Sequence, residues 1–123
     1  MDYQFPFEKL EVWKLSKDFV KEIYRLTNEF PDSEKYGMVS QIRRAAISVP
    51  NNLAEGAGRF SGKDQARFSE IAYGSLMEVT NLLIISIELE MLSKEKVKEM
   101  MLEIHVIAKK ISSLRNYQIE HLK

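Results

Sequence analysis

The sequence predicts an all-α protein, an antiparallel up-down bundle of four helices in a single domain spanning residues 1–123. Three observations carry that prediction. Apolar residues recur at steps of three and four along most of the chain, the period of a helix with one buried face. Proline and glycine stand at few places and divide the pattern into long segments. No stretch alternates apolar with polar residues, and no Asn-Gly hairpin signal occurs. Short links between amphipathic helices make the up-down arrangement the most economical packing. A chain of 123 residues is one domain by length, and at this size folding buries roughly two-thirds of the unfolded surface. Such a core needs neither disulfides nor a structural metal, and the chain has no cysteine.

The first helix is expected over 8–29, between Pro6 and Pro31, with a core stripe of Val12, Leu15, Phe19, Ile23, Leu26 and Phe30. A second stripe, Trp13, Val20 and Tyr24, lies about 100° further round the helix. It meets either another helix of the bundle or a second subunit. The second helix is expected over 33–57, with Asp32 or Ser33 capping its first N–H groups and Glu34 suited to its dipole. Val39, Ile42, Ala46, Val49 and Leu53 form its seam. Pro50 removes one backbone bond and crowds the preceding turn. Because the period carries through to Leu53, helix 2 is expected to be kinked at Pro50 and to continue, a true break being the alternative. Gly56 and Gly58 end it.

The third helix, expected over 62–91, opens at Ser61 with Asp64 as a short-armed partner in a capping box. Its core face is read as Phe68, Ile71, Ala72, Ser75, Val79, Leu82 and Ile87. The run Leu82, Leu83, Ile84 and Ile85 leaves hardly any polar side, as in a helix buried all round. A four-helix monomer has no central helix, so this run points to oligomerisation. Ser93 caps the fourth helix, expected over 94–117 with the stripe Val97, Met100, Met101, Ile104, Ile107, Ala108, Ile111 and Leu114. The polar tail 116–123 is expected to fray.

Composition narrows the function classes. The N-terminal stretch MDYQFPFEK has no basic region followed by a long apolar run, so no signal peptide is expected. The uncharged run 79–87 is far short of the ~20 residues a spanning helix needs. The expectation is a soluble, cytoplasmic protein without membrane association. Net charge is zero, yet residues 41–67 hold Arg43, Arg44, Arg59, Lys63 and Arg67 against Glu55 and Asp64, a local balance of +3. Such a region is either a nucleic-acid footprint or a solvated, ion-paired surface.

Catalytic patterns fail one by one. In GAGRFSGK at 56–63, a phosphate loop would need glycine in place of Ala57 and Ser or Thr in place of Asp64. A dinucleotide fingerprint would need glycine in place of Ser61 and a preceding strand. Gly62 and Lys63 at a helix start could still attract a phosphate non-specifically. The Glu-x-x-His pairs of four-helix di-iron sites are missing, since Leu102 precedes His105 and Gln118 precedes His121 at that spacing. A G-x-S-x-G elbow is missing too. No enzyme, metal or cofactor is expected.

Several motifs are diagnostic together: FEKLEVW at 7–13, QIRRAA at 41–46, SVP at 48–50, AEG at 54–56 with Gly58 and Arg59, and AYGSLME at 72–78. Over almost its whole length the chain resembles the bacterial four-helix-bundle proteins known as 23S rRNA intervening-sequence proteins. That resemblance implies a ring-like homopentamer. It also implies kinship in fold with the accessory protein of diversity-generating retroelements, which works with a reverse transcriptase and nucleic acid. The family's biochemical role is poorly defined, and a gene's position within rRNA says nothing of what its product does.

The motifs admit two physical readings. In the structural one, Arg43 or Arg44 pairs with Glu55 or Glu78 inside the bundle or its interface, while Gly56 ends helix 2 and Gly74 and Ser75 allow close helix approach. Glu78, among apolar neighbours, would need such a partner. In the functional one, the arginines line a surface for phosphate. The structural reading is favoured for at least one arginine. Candidate nucleic-acid contacts are Arg59, Lys63 and Arg67, four residues apart, with the exposed member of Arg43 and Arg44. The leading expectation is thus a non-enzymatic homo-oligomer, pentameric by resemblance, that binds RNA or DNA without sequence preference. A structural or protein-scaffolding oligomer is the alternative.

Overall fold

The structure is a computed structural model and describes residues 5–122. The first four residues of the N-terminal stretch and the last residue of the tail lie outside them. Helix α1 (Glu11–Thr27) follows a short 3-10 turn, Pro6–Lys9, in which the Glu8 carboxylate accepts the Phe5 N–H at 2.7 Å. Val12, Phe19, Ile23, Leu26 and Phe30 are buried, as the stripe predicts. Two hydroxyls turned inward are satisfied within the helix, Ser16 on the Val12 carbonyl and Thr27 on that of Ile23, each at 2.7 Å.

Helix α2 (Met38–Ala57) begins later than expected. Asp32 and Ser33 belong instead to a separate 3-10 turn, Asp32–Glu34. That turn leaves Glu34 one helical turn ahead of α2, where its carboxylate accepts the Met38 N–H at 3.3 Å. An acidic side chain reaching across Gly37 thus does the capping. The seam Val39, Ile42, Ala46, Val49 and Leu53 is buried throughout. The helix runs unbroken through Pro50, so a true break is excluded.

Helix α3 (Gly62–Glu88) is capped by Ser61, whose Oγ accepts the Asp64 N–H at 3.1 Å. Its buried line is Ser69, Ala72, Leu76, Val79, Leu83 and Ser86, in steps of three and four. Ile71, read as core, is 44% exposed because it stands one position, about 100°, off that line. The C-terminus departs from expectation as well. Glu90 adopts φ 60°, and the N–H groups of Glu90 and Met91 reach back to the carbonyls of Ile87 and Ser86, both at 2.9 Å. This is a Schellman ending with glutamate where glycine is usual, and it stops α3 at Glu88 rather than at 91. Glu90→Gly should therefore stabilise the fold by about 1 kcal/mol, read as a shifted urea midpoint at unchanged slope.

Helix α4 (Lys94–His121) is capped by Ser93 and buries Val97, Met100, Ile104, Ile107 and Ile111. It does not fray at 116. Gln118 is only 4% exposed, and its side-chain oxygen accepts the Ser69 hydroxyl at 2.6 Å. Burial of a hydrogen-bonded amide ties the tail down. Contacts between neighbouring helices fix the register. Ser48 meets Ser75 at 2.8 Å, and Arg115 meets Glu70 at 2.8 Å. Lys110 pairs with Glu11, and Lys96 with Glu29, along the α1–α4 seam. One continuous core joins all four helices, and no strand occurs among the described residues. Among those residues α3 is long and apolar enough to cross a membrane by length and composition, but it packs between α2 and α4.

Candidate functional site

Two exposed features stand out: the outer face of the α2–α3 pair, and the corner where those helices join. The outer face comes from the same period that builds the core. With residues 72, 76, 79 and 83 turned inward, Ile71, Gly74, Glu78, Asn81 and Ile85 fall on a line facing out. Ile84 (48% exposed) and Met77 flank that line, and Ile47 adds an exposed apolar group from α2.

Gly74 is the unusual member. It lies in the middle of a 27-residue helix, is exposed, and a Cβ built there would find nothing within 4 Å. The expected close approach of helices at Gly74 therefore does not occur within the chain. It occurs at Gly56, where a Cβ would lie 2.8 Å from the Phe68 Cβ and 3.3 Å from the Gln65 carbonyl. Ser75 does hold α2 to α3, through Ser48, whose hydroxyl also accepts from the Asn52 amide at 2.9 Å.

Within the chain, among the described residues, no ion pair joins Arg43 or Arg44 to Glu55 or Glu78. Arg43 turns to α1 instead. Its Nε donates to the Thr27 hydroxyl at 2.8 Å, and its Nη2 to the Asn28 side-chain oxygen at 3.0 Å and the Tyr24 carbonyl at 3.3 Å. Its guanidinium stacks 4.3 Å from the Tyr24 ring centroid. A cation on the last carbonyls of α1 complements the negative end of the helix dipole, so Arg43 acts as a structural cap of α1. Arg44 is the exposed member of the pair. Glu78 is exposed too, which lifts the need for a buried partner. The Ser48–Ser75 contact puts Arg44 and Glu78 at nearly the same height on adjacent helices, and neither has an ion pair among the described residues.

At the corner, Arg59 pairs with Glu55 at 3.0 Å and approaches Asp64 at 3.9 Å, and Arg67 approaches the same Asp64 at 3.7 Å. Both guanidiniums lie over Phe68, at 4.6 and 5.4 Å from its centroid. Lys63 is exposed and has no ion pair among the described residues. Lys63, Arg67 and Arg115 line a shallow groove of about 510 Å³ with Ser61, Asp64 and Glu70. The corner thus has a net charge of about +1 once Glu55 and Asp64 are counted. Arg44 lies some 13 helical residues from the corner, roughly 20 Å. The local +3 of the sequence is accordingly two separate surfaces.

On the opposite side, α1 and α4 bring carboxylates together. Glu103 is held above the usual carboxylate range, first by partial burial and then by Glu22, Glu99 and Asp18. A raised native pKa means the folded state binds the proton more tightly, so this group's contribution to stability falls as pH rises through its native value. Glu103→Gln should raise the melting temperature at pH 7, with the gain shrinking as the pH falls through the raised native value and gone below the ordinary 4.5. Thermal scans at both pH values check it. Among the described residues no three His, Asp or Glu side chains converge as metal ligands. His105 stands exposed on α4, and the His121 ring lies tilted against Tyr117 with centroids 5.0 Å apart.

These features define a small four-helix-bundle protein whose exposed chemistry is an apolar helix face and a mixed-charge corner. The chain belongs to the family described as 23S rRNA-intervening sequence protein, which it matches over residues 8–113. No curated protein matches it significantly.

Proposed function

We propose that the protein is a non-enzymatic module that assembles with copies of itself through the outer face of α3. The observation that carries this reading is Gly74. A glycine in an exposed helix interior costs about 1 kcal/mol relative to alanine, and nothing within the chain requires it. A backbone approached closely from outside would. Ile71, Met77, Ile84 and Ile85 are exposed along the same helix and Ile47 on α2, and covering isoleucines that are 36–48% exposed recovers part of the roughly 1.5–3 kcal/mol that full burial of each would give. Arg44 and Glu78, both unpaired, supply complementary charge beside it. Five subunits in a closed ring is the count that the family resemblance favours, and the cytoplasm its setting. Gly74→Leu fills the gap while leaving the monomer unstrained, so sedimentation equilibrium should return a lower mass than for the natural protein, at undiminished helicity. An unchanged oligomeric mass for this variant would sink the assignment.

A second reading is favoured by the corner. Lys63 is unpaired, and Arg59 and Arg67 are held in fixed positions over Phe68. A ring would repeat this weak patch on every subunit, and repetition raises avidity without new contacts. Under this reading the ring binds RNA or DNA through phosphate, with little sequence preference and a steep salt dependence. A scaffold binding only protein is the alternative.

A further inference from the structure

Phe60 is 100% exposed, although Phe68 and the core lie in the same corner. Its neighbours are pinned on both sides. The Arg59 N–H donates to the Gly56 carbonyl at 3.0 Å, and the Arg59 carbonyl accepts from the Gln65 side-chain amide at 2.8 Å. Ser61 is fixed as the cap of α3. Gly62 sits so close to the end of α4 that a Cβ would meet the Leu122 and Gln118 carbonyls at 2.0 and 2.3 Å. The corner therefore holds its backbone and displays Phe60 outward. Nor can the ring fold back onto Phe68 unopposed, because the Arg59 and Arg67 guanidiniums already overlie that side chain.

We propose that Phe60 is a stacking platform for an unpaired base of single-stranded nucleic acid, with Lys63 and Arg67 holding the adjacent phosphates. This rests on the nucleic-acid reading above and sharpens it from phosphate contact to single-strand preference. Every base presents a π face, so one exposed aromatic beside cations binds single strands without reading sequence. In a duplex those faces are occupied by neighbouring bases, and the platform has nothing to take. A bilayer anchor fits the corner less well. Such an anchor needs a broad apolar face, and here the apolar groups near the ring are Ile119 and Leu122 from the end of α4, interrupted by Arg59, Ser61, Lys63 and Asp64.

The test is titration of a fluorescein-labelled oligouridine, and of a blunt RNA duplex of equal length, with the natural protein, Phe60→Ala and Phe60→Trp at low salt. Phe60→Ala should weaken oligouridine binding by about tenfold and leave the duplex nearly unaffected. Phe60→Trp should retain oligouridine, with indole fluorescence quenched on binding beyond that of the natural Trp13. Equal oligouridine affinity for Phe60→Ala and the natural protein would overturn the platform while leaving phosphate binding standing. No salt-sensitive binding of either probe by the natural protein would overturn both readings. A fall in oligomeric mass for Phe60→Ala would make Phe60 a subunit contact. Binding to phosphatidylserine vesicles that depends on Phe60, without oligouridine binding, would make it a membrane anchor. Either of these last results would also overturn the proposal.

Discussion

Gly56→Ala should destabilise the bundle by about 1–2 kcal/mol, although alanine is the better helix former. Two effects oppose each other. Alanine's propensity favours the variant by about 1 kcal/mol. Against it, the new methyl would lie 2.8 Å from the Phe68 Cβ, an atom fixed to the α3 backbone rather than the end of a flexible side chain, and 3.3 Å from the Gln65 carbonyl. Relief requires α2 and α3 to separate at the corner, and overpacking of that kind typically costs 1–3 kcal/mol. The separation would also strain the Ser48–Ser75 contact further along the same pair of helices. Chemical denaturation would read the loss directly. A stability equal to or above that of the natural protein would mean that the corner yields freely and that Gly56 merely ends the helix.

The double variant Ile71→Glu with Ile85→Glu should abolish self-association and leave the fold intact. Both side chains lie on the outward line of α3, so charging them exposes no core in the monomer. In an interface the same two carboxylates would be desolvated without partners, at a cost of several kcal/mol each. An interface of ordinary size cannot absorb that. Circular dichroism should show unchanged helicity while light scattering reports single chains. Loss of helicity would instead place Ile71 and Ile85 in the core. An unchanged oligomer would move the interface elsewhere, with the Trp13, Val20 and Tyr24 side of α1 as the next place to look.

The helices and their buried stripes were legible in the sequence because burial imposes the period of 3.6 directly on residue type. Ser61 and Ser93 were legible as caps for a similarly local reason, since the cap and the N–H it satisfies are three residues apart. The misplacements have physical causes. Ile71 is as apolar as its inward neighbours, and only packing decides which side of a 100° step faces in. The start of α2 was missed because Glu34 caps it from outside the helix, from the end of a separate 3-10 turn. The end of α3 was missed because a glutamate takes the left-handed position that sequence reading assigns to glycine. The partners of Arg43 lie 15 to 19 residues away on α1, and periodicity carries no information about that register. Ser69 and Gln118 are 49 residues apart, and nothing local marks them as a pair. Of the candidate contacts, Arg59, Lys63 and Arg67 do share one corner, but the carboxylates of Glu55 and Asp64 share it with them.

A second copy of the chain is expected to cover the exposed face around Gly74. Light scattering of the natural protein at micromolar concentration tests it most directly. The expected mass is several times the 14.3 kDa of one chain and, across a dilution series, does not grow with concentration, as for a closed ring rather than an open filament. A mass of 14.3 kDa throughout that series would contradict it.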